Sequence, residues 1–290
     1  MCLLILAIGG PEVISVGRAT RDDGLTRVER LRFRMEVVEL LRLLKVRYTY
    51  SQLSQLTGLP ATVLSRYILG HVLPTFERAM ELWHVMTKKV INLRNEIMDR
   101  VKFDGNGFFD NTAVIYDPFI RKFMAVWIYE KLMGTRVDKI LTAAVDGVPL
   151  AVTLSDRLGV PVVIAKKERE VGVEEFWTTE LAWPSGRRET LYVPKQWLRK
   201  KDWVVIVDDV IRTGETQRAL IELVKHVGAK LAGLFALISI GDWTDKIDIP
   251  DGCMAEVLIT LNEEILNASL DKRRGKGEKL KVARRNSISA

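Results

Sequence analysis

The stretch VVIVDDVIRTGET, residues 204–216, runs an apolar, β-branched segment straight into two adjacent carboxylates and then a Thr-Gly-x-Thr turn. A continuous apolar run of this kind suits a strand buried on both faces of a sheet. Ending such a strand in Asp208-Asp209 predicts two carboxylates at the lip of the sheet, placed to accept hydrogen bonds from vicinal sugar hydroxyls. Beyond them, residues 212–216 would offer consecutive backbone N–H groups at a helix N-terminus, together with the hydroxyls of Thr213 and Thr216. Gly214 lets that backbone come close to a ligand. Carboxylates for hydroxyls and an N–H nest for an anion suit one ligand class, a sugar phosphate.

The surrounding chain supports this placement. From about residue 103 apolar strands alternate with amphipathic helices: Asp117-Pro118 caps and starts a helix that ends at Gly134, and KILTAAV reads as a strand followed by Gly147. VPLAVTLSDRLG is then a helix, VPVVIAKKE a strand, WVVIVDD a strand, ETQRALIELVKHVG a helix closed by Gly228, and LAGLFALISI a strand. Such alternation predicts an α/β fold with a parallel sheet flanked by helices, whose ligands gather at the carboxyl ends of the strands.

The first third reads differently. Leu31, Met35, Val38 and Leu41 recur at helical spacing between arginines, predicting a helix over 28–46. In YSQLSQLTGLPATVLSRYILGHVLPT, Ser51 can cap a short helix that ends at Gly58, and Leu59-Pro60 open a second one reaching about Leu69. That is a helix-turn-helix layout, with Leu53, Leu64 and Tyr67 facing the shared core and small Ser54 allowing close approach. Ala61, Thr62, Ser65 and Arg66 then fall on the outer face, the end that enters a major groove, with His71 just beyond. An ordinary helical hairpin has the same spacing. After Pro74, Phe76, Trp83, Val90 and Ile97 recur every seven residues, a stripe that could zip two chains together or pack on its own domain.

Charge follows this division. The net +7 splits into +6 over residues 1–102, −5 over 103–270 and +6 over 271–290, so basic ends that can meet a polyanion flank an acidic middle. The opening MCLLILAI is too short to span a bilayer and reads as a strand-like extension or an over-long start. Two cysteines, Cys2 and Cys253, give no disulfide framework or metal knuckle, which fits a reducing, cytoplasmic setting.

Residues 204–216 closely resemble the phosphoribosyl pyrophosphate (PRPP) motif of the type I phosphoribosyltransferases, and TAAVDGVPLAVTLSDRLGVPVVIAKKE resembles the pyrophosphate loop, helix and strand of orotate-type members. The likeness implies that Asp208, Asp209, Val210, Ile211, Arg212, Thr213, Gly214, Glu215 and Thr216 bind PRPP, with Mg2+ arriving with the ligand and not held by the protein alone. It also implies that Ala144, Val145, Asp146 and Gly147 present backbone groups to the pyrophosphate, beside Lys166 and Lys167. The enzymes close a flexible, basic hood over the reaction; the corresponding REVGVEEFWTTELAWPSGRRETLYVP carries Glu174-Glu175 where orotate-type enzymes have a lysine and a histidine, although Arg187 and Arg188 can partly substitute. The stretch 50–75 looks like a Cro/repressor-type helix-turn-helix. The combination resembles archaeal orotate-phosphoribosyltransferase-like regulators of the GfcR kind and, more distantly, the bacterial purine-operon repressor.

These readings predict an N-terminal extension (1–27), a helix-turn-helix DNA-binding domain (28–75), a linker helix with a possible dimer contact (76–102), a phosphoribosyltransferase-like effector domain (103–270) and a basic disordered tail (271–290). The function implied is a homodimeric regulator that binds double-stranded DNA, has no membrane partner, and uses a catalytically silent transferase fold to sense PRPP or a nucleotide. The alternative is an active orotate- or purine-type phosphoribosyltransferase. No catalytic residue is assigned.

Overall fold

The computed structural model describes residues 25–88, 95, 97, 100–103, 109–183 and 185–261. Residues 1–24 of the extension with Cys2, the stripe positions Val90 and Leu93, and the basic tail lie outside the described residues.

Helix α1 (Arg27–Arg47) opens on a capping box: Thr26 Oγ1 accepts from the Glu29 N–H while the Glu29 carboxylate accepts from the Thr26 N–H. α2 (Tyr50–Thr57) opens the same way on Thr49 and Gln52, not on Ser51 as the sequence suggests. The correction has a local cause: a glutamine three residues after Thr49 reaches back to its N–H, and Ser51 lacks that partner. Gly58 closes α2 at φ +69°, a left-handed turn that costs glycine little. α3 (Ala61–Ile68) follows Pro60, and Ser54 Oγ donates across the turn to the Leu59 carbonyl at 2.6 Å. Leu53 and Leu64 are buried between the helices, with Tyr67 half-buried beside them.

The stripe of α4 (Phe76–Lys88) is spent inside the chain. Ala79, Trp83 and Met86 are buried, and the Trp83 ring meets Phe33 of α1 and Phe123, further along the chain, at centroid distances of 6.3 and 5.6 Å. The described part of the stripe thus packs on its own chain.

A short antiparallel pair, β1 (Lys102–Phe103) and β2 (Phe109–Asp110), and a single turn, α5 (Thr112–Ile115), lead into α6 (Pro118–Leu132), whose N-terminus Asp117 caps. Next come β3 (Lys139–Ala143), α7 (Val148–Leu158), β4 (Val162–Ala165), β5 (Phe176–Ala182), β6 (Arg188–Pro194), β7 (Trp203–Ile211), α8 (Glu215–Val227), β8 (Lys230–Ile240) and β9 (Met254–Leu261). The main sheet runs β4-β3-β7-β8-β9, parallel throughout. Because the chain goes from β3 outward to β4 and then returns to β7 on the other side of β3, the order reverses between β3 and β7. A crevice opens at such a reversal beyond the carboxyl ends of the strands.

Each face of the sheet has its own buried core. One cluster joins α8, the β5–β6 hairpin and one face, with Leu181, Val193, Leu220 and Ile206 among its members. The other joins α6, α7 and the opposite face to α1–α4, from Phe33 through Trp83 and Phe123 to Phe235. Ion pairs cross the same seam: Arg157 of α7 with Glu36 of α1 at 2.9 Å, and Arg47 of α1 with Asp117 at 2.9 Å. No described helix is long and apolar enough to cross a membrane.

Candidate functional site

Two loops meet at the reversal point, one following β3 and one following β7. Gly147 begins the first helical turn after β3 and lies so near its neighbours that a Cβ there would stand 2.5 Å from Thr142 Oγ1, 2.9 Å from Asp208 Oδ1 and 3.3 Å from Asp208 Cα. Glycine is required at this position for close approach and not for a positive φ. Ala144, Val145 and Asp146 are exposed in the same loop, and the Ala144–Val145 peptide is cis.

Asp208 and Asp209 do not end their strand: β7 continues to Ile211, paired with β8 as far as Ser239. The two carboxylates therefore differ in depth. Asp208 is 7 % exposed; its Oδ2 accepts from Gln217 Nε2 at 2.6 Å and its Oδ1 from the Asp209 N–H at 2.9 Å. Burial, reinforced by the Asp209 carboxylate, holds its pKa well above the usual carboxylate range. Asp209 is half-buried and accepts from Asn111 Nδ2 at 2.6 Å. Asp146 has a raised pKa, through burial first and Asp209 second, so the two loops share one acidic edge.

The 212–216 turn has the expected form. Gly214 takes φ +83° and the next residue starts α8. The backbone N–H groups of residues 213–216 and the hydroxyls of Thr213 and Thr216 have no acceptor or partner among the described residues. Thr213 and Arg212 are exposed, whereas the side chains of Ile211 and Glu215 are buried and that of Val210 is half-buried. Among the described residues no group of three or more His, Cys, Asp or Glu could hold a metal ion.

The segment after β4 is a built hairpin. β5 and β6 pair antiparallel from Phe176 opposite Pro194 to Ala182 opposite Arg188, and Thr179 Oγ1 donates to the Ala219 carbonyl of α8. Lys166 joins its edge through a backbone bridge to Tyr192. Its cations pair within the segment: Lys166 with Glu170 at 2.8 Å, Lys167 with Glu189 at 2.6 Å, Arg187 with Glu189, and Arg188 with Glu180 at 3.0 Å. A shallow, mostly apolar depression adjoins Asp146 and Asp209, walled by Ile115, Met124, Leu150 and Leu237.

Sequence reasoning missed Asn111, Gln217 and the later Lys246. Gln217, in the first turn of α8 behind the turn, had a readable position; Asn111 lies 98 residues before its partner and nothing local marks it. At the other end of the molecule, Ala61, Thr62, Arg66 and His71 are exposed and Ser65 half-buried.

Residues 119–272 match the family described as Phosphoribosyl transferase domain. The chain is 29% identical over 157 residues to the xanthine phosphoribosyltransferase of Listeria monocytogenes serotype 4b (strain F2365), covering 52% of this chain and 82% of that protein. It is 34% identical over 124 residues to the xanthine phosphoribosyltransferase of Brevibacillus brevis, covering 42% of this chain and 63% of that protein. In three dimensions it is similar to the adenine phosphoribosyltransferase of Thermoanaerobacter pseudethanolicus, with TM-score 0.51 and 25% identity over 58% of this chain and 99% of that one. A parallel sheet with two loops at its reversal point and the acidic turn motif between them thus agree with the family match, which spans more than half of the chain: the protein belongs to the phosphoribosyltransferase family.

Proposed function

We propose that the chain is a DNA-binding regulator whose phosphoribosyltransferase site binds PRPP or a nucleotide as its signal. The observation that carries this reading is the α2–Gly58–α3 unit, which exposes Ala61, Thr62 and Arg66 on one short helix while burying Leu53 and Leu64 behind it. At the sheet end, the partnerless N–H groups of the 212–216 turn suit a 5-phosphate, and Asp208 with Asp209 suit ribose hydroxyls. Mg2+ bound to the pyrophosphate would meet Asp146 and Asp209, whose neighbouring negative charge favours a cation there. The paired cations of the hairpin favour a silent site, since a leaving pyrophosphate would have to displace Glu170, Glu180 and Glu189 from them. Two copies reading half-sites about one helical turn apart would supply the contacts that one short helix lacks.

The second reading is an active purine-type phosphoribosyltransferase. The comparisons favour it over the regulator, since the relatives bear xanthine and adenine names. Incubating the protein with PRPP, Mg2+ and xanthine, guanine, hypoxanthine, adenine or orotate separates the two. Pyrophosphate release at an enzymatic rate with any base establishes the transferase. PRPP binding without turnover, together with salt-sensitive binding of duplex DNA from beside its own coding region that PRPP alters, establishes the regulator.

A further inference from the structure

The segment between β8 and β9 crosses directly over the phosphate turn, and one residue in it touches that turn from three sides. Lys246 Nζ donates to the carbonyl of Arg212, where the turn leaves β7, at 2.9 Å, and also to the carbonyl of Ile240, the last residue of β8. One ammonium therefore staples the ends of two neighbouring strands at the point where the turn begins. The Lys246 carbonyl accepts from Arg218 Nη1, one turn into α8, and lies 3.0 Å from the position a Cβ on Gly214 would occupy. The side chain after it, Ile247, is buried against the same glycine.

The turn cannot hold itself. Its N–H groups have no acceptors among the described residues, and its first internal bond is Arg218 N–H to the Gly214 carbonyl at 2.9 Å. A nest that is ordered before its anion arrives spends less of the binding energy on ordering itself. We propose that Lys246 is the positioning residue of the phosphate turn, fixing the 212–216 backbone in its ligand-ready shape through the Arg212 and Ile240 carbonyls. The inference rests on reading that turn as a phosphate cradle. Lys246 itself acts on the turn's backbone and holds no substrate atom.

The test compares two probes that address opposite ends of the site. Ribose 5-phosphate reports on the turn, and pyrophosphate with Mg2+ reports on the loop after β3. By titration calorimetry, Lys246→Met should weaken ribose 5-phosphate about ten-fold or more, as a misplaced binding group does, and leave pyrophosphate affinity unchanged. Lys246→Arg, which keeps two donors for the two carbonyls, should restore most of the loss. In the ligand-free protein, the same Lys246→Met variant should lose hydrogen-exchange protection at the Arg218 amide while the Leu223 amide keeps it. Undiminished ribose 5-phosphate affinity with normal Arg218 protection overturns the proposal, as does equal loss of both probes, which would mark Lys246 as general scaffolding. If the parent protein binds no ribose 5-phosphate, the cradle reading fails; the exchange comparison still decides whether Lys246 orders the turn.

Discussion

In the α2–α3 pair, the atoms proposed to meet a partner are side chains standing on an exposed helix face, Ala61, Thr62 and Arg66. At the sheet end they are backbone N–H groups and two carboxylates, one of which is buried. The difference lies in what supports each set. An exposed side chain on a helix can be exchanged with little effect on the backbone that carries it. A backbone nest exists only while the turn holds its shape, and Asp208 can stay at its depth only with Gln217 and the Asp209 N–H as partners. Substitutions at the first site should thus act on binding alone, whereas substitutions at the second should change binding and stability together.

The largest effect expected is on ligand binding in the double variant Asp208→Asn/Asp209→Asn. Calorimetric titration with PRPP and Mg2+ should show no measurable binding, because the variant removes both carboxylates proposed to accept from the ribose hydroxyls. Undiminished affinity would remove the carboxylates from the site.

Next in size, Trp83→Ala should cost about 3–5 kcal/mol, as loss of a buried large aromatic does. Trp83 links α1 to α6, so the loss should shift a single denaturation transition followed by both helix and sheet signals. Separate melting of the helical region, with the sheet unaffected, would break the comparison by making the two ends independent bodies.

Arg66→Ala should weaken binding to a specific duplex roughly ten-fold and leave PRPP affinity unchanged. A base contact would relax preference at one position, and a phosphate contact would lower the salt slope for all sequences. Parent-like DNA affinity across a salt series would remove α3 as the reading helix.

The smallest effect concerns pH. Because burial raises the Asp208 pKa in the folded state, the native protein holds a proton there that the unfolded chain releases at ordinary carboxylate pH. Its contribution to stability is full below the unfolded pKa and falls as pH rises through the window up to the folded value. Asp208→Asn alone should flatten that decline in urea melts taken from pH 4 upward, and so be steadier near neutrality than the parent while losing ligand. A parallel pH profile for the two proteins would show that Asp208 is ionised throughout.

The elements legible in the sequence were those whose pattern is local. β3, β4, β7 and β8, with the helices between them, carry continuous apolar runs or a full amphipathic period and end at glycines, and the two short helices declare themselves through Gly58 and Pro60. β5 and β6 were not assigned as strands because FWTTELA is apolar on only part of one face; its order comes from pairing with β6 and docking on α8. β9 escaped because MAEVLITL pairs only with β8 at the sheet edge. The same reasoning holds within the site. The Asp208-to-Thr216 run is contiguous and readable, but Asn111 and Lys246 reach it from distant segments and only folding brings them there.

The aromatic chain from Phe33 through Trp83 and Phe123 has a practical corollary for anyone cutting or splicing this protein. A boundary drawn near residue 103 divides the sequence neatly but slices through one packed interior, leaving Trp83 facing water on one fragment and Phe123 on the other. The helical segment has buried residues of its own but shares its interior with α6, so cut out alone it would carry an uncovered apolar face into a fusion. A transplanted version would have to bring α6 with it, and a truncated transferase piece would need a new cover for that same helix.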